Sequence, residues 1–413
     1  MLLRSARLGI GMILAGVWAA AVAGAAERVL DAQLHHLRSG QTREWSDFPE
    51  TAEGRELKLT FSARPNPGPV TLRLRQRDVK QTWRLRLNDQ ELGRLSTDEN
   101  PLTTFWELPA GALRTGENVL SAAGSGPLSD DVFLGDVRLI DFPRAETLRQ
   151  ATVSVAVIDA HSGRPLPARV TIVDEQGSLC SVGAEPSLRL AVRPGVVYTA
   201  DGRAKFGLPP GKYRLYAGRG FEYGVDARSI ELAAGDRRDV RLAICREVSL
   251  PGYASCDTHL HTFTYSRHGD ASLEERMVTL AAEGLELPVA TDHNVPIDYA
   301  PAAQAAGVRR HFTPLVGDEV TTRLGHFNVF PLDLAAAPIE HEGKSWRRIF
   351  ADVHRAGPRR VVVLNHPRDL HAGFRPFDPR RHVSIAGENL DGWELEANAM
   401  ELVNSGALQS DPW

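Results

Sequence analysis

The chain has 413 residues, too many for one ordinary domain of ~100–200 residues, so two or three domains are expected. Hydrophobic residues make up 42% and charged residues 24%, which excludes a wholly disordered chain. The 48 Lys and Arg against 52 Asp and Glu give a net charge of -4, with no basic excess to draw in nucleic acid or anionic lipid. Three cysteines, Cys180, Cys245 and Cys256, are too few for a disulfide framework. They leave either a free thiol or a Cys180–Cys245 pair.

Residues 1–26 read as a secretory signal peptide. Arg4 and Arg7 form a positive start, Leu8 to Val22 is uncharged and apolar, and small residues follow at Ala21 to Ala26. The apolar run is short for a membrane span, so the expectation is cleavage and export to the periplasm or beyond, with no transmembrane helix left.

Residues 27–147 then predict a first β-sandwich. Leu57 to Phe61, Val70 to Leu74 and Trp83 to Leu87 alternate polar and apolar, and Asn88-Asp89 is a turn pair. The stretch Trp83 to Leu95 resembles the hairpin of galactose-binding-like jelly rolls. That resemblance implies glycan contact by Trp45, Trp83 or Trp106, although core packing is the commoner use of such tryptophans. Residues 148–250 predict a second sandwich, with strands at Thr152 to Val157 and Ala168 to Val173 around a turn at Asp159 to Pro165. Its Leu208-Pro209-Pro210-Gly211-Lys212-Tyr213-Arg214-Leu215 run resembles carboxypeptidase-regulatory or transthyretin-like modules, and implies a structural spacer.

From 251 to 413 the character changes. Short apolar runs end in polar tips and alternate with helical stretches, an α/β pattern. The best helix is Ser272 to Leu285, where Ser272 and Glu275 form a capping-box pair. A second is Trp346 to Ala356. Eleven of the 14 histidines fall between His259 and His382. His259 and His261 form an H-x-H pair, which on an extended strand puts both imidazoles on one face. His268, His293, Glu319, His326 and His366 follow near successive strand ends. Histidine and carboxylate ligands together suit Zn, Mn or Fe rather than Ca or Mg. For any one of these histidines a hydrogen-bonded loop role competes with a ligand role; for the six histidines and Glu319 together it is a poor account. Cys256 is read as a small buried residue facing away from the ligands. Arg323 and Arg368 read as solvated surface residues ahead of a contact with a substrate anion.

The motifs Asp257-Thr258-His259-Leu260-His261-Thr262, Thr291-Asp292-His293-Asn294, Gly317-Asp318-Glu319, Gly325-His326-Phe327-Asn328 and Asn365-His366-Pro367 together resemble the PHP (polymerase and histidinol phosphatase) hydrolases, in their exported CehA/McbA-like branch. The resemblance implies a distorted (β/α)7 barrel with up to three divalent ions. It implies one ion on His259 and His261, a second on His326 and His366 bridged by Glu319, and a third on His268 and His293, with Asp292 orienting ligands from behind. The implied activity is hydrolysis of a small-molecule ester, first a phosphoester, by a metal-bridged hydroxide; carbamate or amide ester cleavage is the near alternative, and a non-catalytic glycan-binding protein with a vestigial barrel the distant one. The family's closing Asp-x-His motif is missing. From Ser255 onward there are only 159 residues, where a barrel needs roughly 200. A C-terminally truncated domain is therefore expected, with only the Glu319, His326, His366 site complete.

Overall fold

The computed structural model describes residues 27–126, 128–342, 345–355, 360–367, 380, 382–390 and 396–402. Residues 1–26, expected as a signal peptide, Arg368 and the last eleven residues lie outside them.

The alternating segments of the first β unit form two sheets. One runs in the order Glu27–Arg38, Asp131–Ile140, Val70–Arg77, Leu102–Leu108; the other in the order Glu56–Ala63, Gly116–Gly124, Trp83–Leu87, Gln90–Arg94. Their inner faces meet over Leu72, Leu74, Trp83, Leu85, Leu120 and Leu134, all buried. Asn88 and Asp89 both hold positive φ, 49° and 68°, which is the turn that matches strand twist in a two-residue hairpin. The second unit centres on Ala151–Asp159, paired antiparallel with Arg203–Leu208 and parallel with Arg237–Ile244. The short strand Leu179–Cys180 pairs parallel with Leu102–Leu108, so one sheet of ten strands runs through both units. All three cysteines are free thiols, and Cys180 is buried.

The C-terminal unit corrects the barrel expectation. Strands Cys256–Leu260, Leu287–Ala290 and Leu315–Val316 form a parallel three-stranded sheet. Strands Asp318–Thr322, Gly325–Phe330, Val361–Leu364 and Ala399–Met400 form a separate mixed sheet. Its first two strands are joined only by Arg323 and Leu324, and its second and third also pair antiparallel. Parallel neighbours need a crossover of about a dozen residues, so a two-residue turn commits this part to a hairpin. The whole chain has five α-helices among its described residues, and only Leu273–Ala282 and Trp346–Arg355 reach ten residues. A mostly β protein with one parallel α/β patch results, not a (β/α)7 barrel.

Helix Leu273–Ala282 seats this unit on the second β unit. Met277, Val278, Leu280 and Ala281 pack against Ala191 and Ala200 on one side and Leu260 and Ala290 on the other. Ser272 caps it by accepting the Glu275 N–H at 3.3 Å. The return half of the capping box is absent, because the Glu275 carboxylate pairs instead with Arg193 Nε at 2.6 Å. At the other end, Arg219 is almost wholly buried and donates to the carbonyls of Pro167 and Ala281, tying sandwich to helix.

Candidate metal centre

The C-terminal ends of the parallel strands and the mixed-sheet hairpin face one another. Among the described residues, one isolated bridge, His293 to Glu319, links the two sheets there. Around it the structure brings together all seven predicted ligand residues. Their donor atoms fall in three triads, each with its atoms within 4.8 Å of one another: His259, His261, Glu319; Glu319, His326, His366; and His261, His268, His293. Three of the residues lie within strands, each one position from an end: His259 is the penultimate residue of Cys256–Leu260. Glu319 lies on Asp318–Thr322, where it pairs with Asn328, and His326 on Gly325–Phe330, where it pairs with Thr321.

Glu319 is the hub, with no exposed surface. Its Oε1 lies 3.1 Å from His326 Nδ1 and 3.4 Å from His366 Nε2, and accepts Asn365 Nδ2 at 3.0 Å. Its Oε2 lies 2.9 Å from His293 Nδ1, 3.1 Å from His261 Nε2 and 3.5 Å from His259 Nε2. Despite three nitrogens so close, this oxygen makes no hydrogen bond. His259 Nε2 and His261 Nε2 stand 3.1 Å apart, and His268 Nε2 and His293 Nε2 2.5 Å apart. Three imidazole nitrogens crowded on a buried carboxylate oxygen that makes no hydrogen bond are what a shared cation accounts for, since ligands at about 2.1 Å from a tetrahedral ion stand about 3.4 Å apart. The residues present therefore fit divalent ions of the Zn, Mn or Fe class.

The electrostatics agree. Burial pushes the Glu319 carboxyl up, but the imidazoles of His259, His261, His293 and His326 outweigh burial and hold it far below the usual carboxylate range. Burial pulls His259 down, but the Glu319 and Glu401 carboxylates overcome this and carry it up to about 10. Burial, then the neighbouring His261 and His293, lower His268. Beside the hub, burial pushes Asp318 up to about 7.

Asp292 is fully buried behind the ligands and belongs to none of the triads. Its Oδ1 accepts Thr262 N–H at 2.7 Å and Ser266 Oγ–H at 2.6 Å, and its Oδ2 accepts Tyr299 O–H at 2.8 Å. Ser266 Oγ in turn contacts His261 Nδ1 at 3.3 Å and accepts His293 N–H at 3.3 Å. Because the hydroxyl proton is spent on Asp292, the oxygen is left to accept from His261 Nδ1–H, which leaves Nε2 as a bare lone pair.

Besides Ser266 and Tyr299, sequence reasoning missed four further supporting residues. Glu401 Oε1 lies 2.5 Å from His259 Nδ1. Thr321 Oγ1 lies 2.6 Å from His293 Nδ1. Asn365 joins Glu319 to Asn328, whose Nδ2 donates to the Thr258 carbonyl at 2.7 Å. Only Asn328 and Asn365 carried a signal, as neighbours of His326 and His366. Cys256 is exposed, not buried as expected, because its strand edges the parallel sheet toward solvent. Arg323 is exposed on the hairpin turn. Of the tryptophans, Trp83 is core, with Nε1 on Asp130 Oδ2 at 2.8 Å; Trp106 is half-buried, and Trp45 stays 44% exposed.

No protein-family model matches the chain. No curated protein matches it either. Among solved structures it is similar to the major pilin subunit BcpA of Bacillus cereus, with 9% identity over 52% of this chain and 70% of that one, at a TM-score of 0.20. It is similar to the CBM36-1 domain of a multidomain xylanase from the hindgut metagenome of Trinervitermes trinervoides, with 13% identity over 28% of this chain and 96% of that one, at 0.19. It is also similar to a beta-glucuronidase of Faecalibacterium prausnitzii, with 11% identity over 71% of this chain and 60% of that one, at 0.22. All three scores fall below that of a shared fold. The PHP and CehA/McbA-like assignment is therefore corrected: the motifs occur in order, but no family model matches and the hairpin breaks the barrel that the family implies. Among the described residues no helix is long and apolar enough to cross a membrane.

Proposed function

We propose that the C-terminal unit is a hydrolytic metal centre. The observation that supports this best is the buried Glu319 Oε2, which has three imidazole nitrogens within 3.5 Å and no hydrogen bond to any. His261 Nε2 has one lone pair, so the triads that share it compete for it. Two ions at once is therefore the most the donors would hold: His259, His261 and Glu319 would hold one, and Glu319, His326 and His366 the other. Zn, Mn or Fe ions held there would supply a water of lowered pKa as the nucleophile for a phosphoryl or carbonyl ester. The chain's own residues fix the geometry: Glu319 spans both positions, and Ser266 and Asp292 set the His261 ring. Hydrolysis of a small-molecule ester follows, and phosphate esters and carbamates are the substrates to compare.

The test uses the full chain, stripped with a chelator and reloaded with Zn, Mn or Fe(II). Two ions per chain are expected, with activity on aryl phosphates or aryl carbamates. Glu319→Gln is expected to lose both ions and at least about 100-fold in rate. A wild-type chain that retains no ion after reloading refutes the reading. A second reading, glycan contact by the first β unit, is favoured by the exposed indole of Trp45; Trp45→Ala in a glycan-binding assay tests it.

A further inference from the structure

One carboxylate in the centre has no assigned role. Glu401 follows the short strand Ala399–Met400, which pairs with Val361–Leu364 and so lies beside the strand that delivers His366. Its two oxygens reach two different ligand residues. Oε1 lies 2.5 Å from His259 Nδ1, and Oε2 accepts the backbone N–H of His366 at 2.5 Å. His259 belongs to one ion position and His366 to the other. The backbone at this contact is fixed too, since the Glu401 N–H donates to the Leu364 carbonyl at 3.0 Å.

We infer that Glu401 is a positioning residue that selects the metal-binding nitrogen of His259 and locks the two ion positions at a set spacing. The inference rests on the metal reading above. A carboxylate has only acceptor sites, so the Nδ1 it faces must carry the proton. The remaining lone pair is then on Nε2, the nitrogen that points at Glu319 Oε2 and His261 Nε2. A carboxylate behind a ligating imidazole also raises the ring's basicity and fixes its plane. His366 is held at a φ of 29°, an unusual conformation for a residue with a Cβ, and its N–H is spent on Glu401 rather than on a sheet partner. The carboxylate therefore supports a turn that the backbone alone does not favour.

Glu401→Gln separates this role from simple packing. Glutamine has the same shape but one acceptor and one donor end. If its oxygen keeps the His366 N–H, its amide faces Nδ1, and His259 is driven to carry its proton on Nε2, the wrong nitrogen for an ion. Glu401→Asp keeps the charge at a shorter reach. The experiment titrates stripped full-length protein with Co2+, following the visible absorption of each ion and the stoichiometry by elemental analysis. Wild type is expected to take two ions; Glu401→Gln is expected to bind one of them about 10–100-fold more weakly with a changed spectrum, while the other, reached only through the His366 backbone, shifts less. Glu401→Asp is expected to recover part of the loss. Two ions bound by Glu401→Gln with wild-type affinity and spectrum overturn the inference and leave the metal reading intact. A wild-type chain that binds no Co2+ overturns both. Should Glu401→Gln fail to fold, wild type labelled with 15N and loaded with 113Cd decides: coupling to His259 Nε2 supports the inference, and coupling to Nδ1 overturns it.

Discussion

Replacing Asp292 with asparagine probes how the ligands are held without touching one. The carboxylate accepts from Thr262 N–H, Thr262 Oγ–H, Ser266 Oγ–H and Tyr299 O–H, all within 3.0 Å and away from water. A hydrogen bond to a charged group contributes about 1.5–3 kcal/mol and a neutral one about 0.5–1.5. Asparagine can turn its oxygen to the three donors on the Oδ1 side, each losing about 1 kcal/mol of charge assistance. Its amide then faces Tyr299 O–H, a donor against a donor unless the hydroxyl turns away. Relief from burying a charge offsets part of this. The net expected loss is about 2–4 kcal/mol.

The assay is native-state hydrogen exchange at the Thr262 amide, which donates straight to Asp292. Local exchange is the right observable because a chain with several cores does not unfold in one step. Exchange is expected to quicken by about 30- to 1,000-fold. Metal affinity is expected to change little, because the amide oxygen still takes the Ser266 proton and His261 keeps its orientation. Asp292→Ala leaves the Ser266 hydroxyl free to donate to His261 Nδ1, and is expected to weaken both stability and ion binding. Thr262 exchange unchanged in Asp292→Asn refutes the reasoning, as does equal loss of metal in both variants.

Three further outcomes follow from other parts of the structure. Phe327 is fully buried, 5.3 Å from the Trp346 ring and 5.2 Å from Phe350; Phe327→Ala is expected to cost about 3–5 kcal/mol by denaturant unfolding and to loosen the flanking His326. Burial, then Arg219 and Arg310, lower His311 to about 4, below its unfolded value of 6.5. The unfolded chain therefore takes the proton first, and stability falls as pH drops from about 6.5 toward 4. His311→Gln is expected to remove about 1–2 kcal/mol of that slope after allowing for partial exposure, read from unfolding at several pH values. Gly135 has φ 153°, and an added Cβ would lie 1.9 Å from the Gln33 carbonyl oxygen; Gly135→Ala is expected to lower the melting temperature of the first β unit by several degrees.

The legible parts of this chain were the local ones. Alternation marked Val70–Arg77 and Ala151–Asp159 because one face of each is buried, and Asn88-Asp89 marked its hairpin because few residues accept positive φ. Pairing was not legible. Nothing in Leu179-Cys180 says that it will pair with Leu102–Leu108 and fuse two sheets, since register across 77 residues leaves no local trace. The barrel expectation failed for a related reason. The α/β order expected from residue 251 onward breaks after Leu315–Val316, where a strand resumes at Asp318 after Gly317 and turns back at Arg323-Leu324. In the site, histidines announce themselves by rarity and spacing. Glu401 does not, because its neighbours Met400 and Leu402 are ordinary and its partners lie 35 and 142 positions away.

The same structure explains why the centre needs the β units beside it. The parallel patch has only three strands, and Val289 and Ala290 are buried on faces that so small a sheet cannot cover alone. Helix Leu273–Ala282 covers one face, and is itself sandwiched by Ala191, Tyr198 and Ala200 of the second unit. Arg219, Arg193 and Arg169 reach from that unit to Ala281, Glu275 and Glu283, fixing both ends of the helix. His259 and His261 flank Leu260, which packs into this same cluster. The spacing of the first ion position thus depends on a helix clamped by another module. Arg219→Met, which takes the Arg219 donor from the Pro167 carbonyl and leaves Ala281 only its backbone donor at the helix end, is expected to weaken the His259–His261 ion more than the His326–His366 ion, because the latter sits on the hairpin core of Phe327, Trp346 and Phe350. Equal weakening of both ions would mean that the two halves of the centre are braced together, and would refute this division of support.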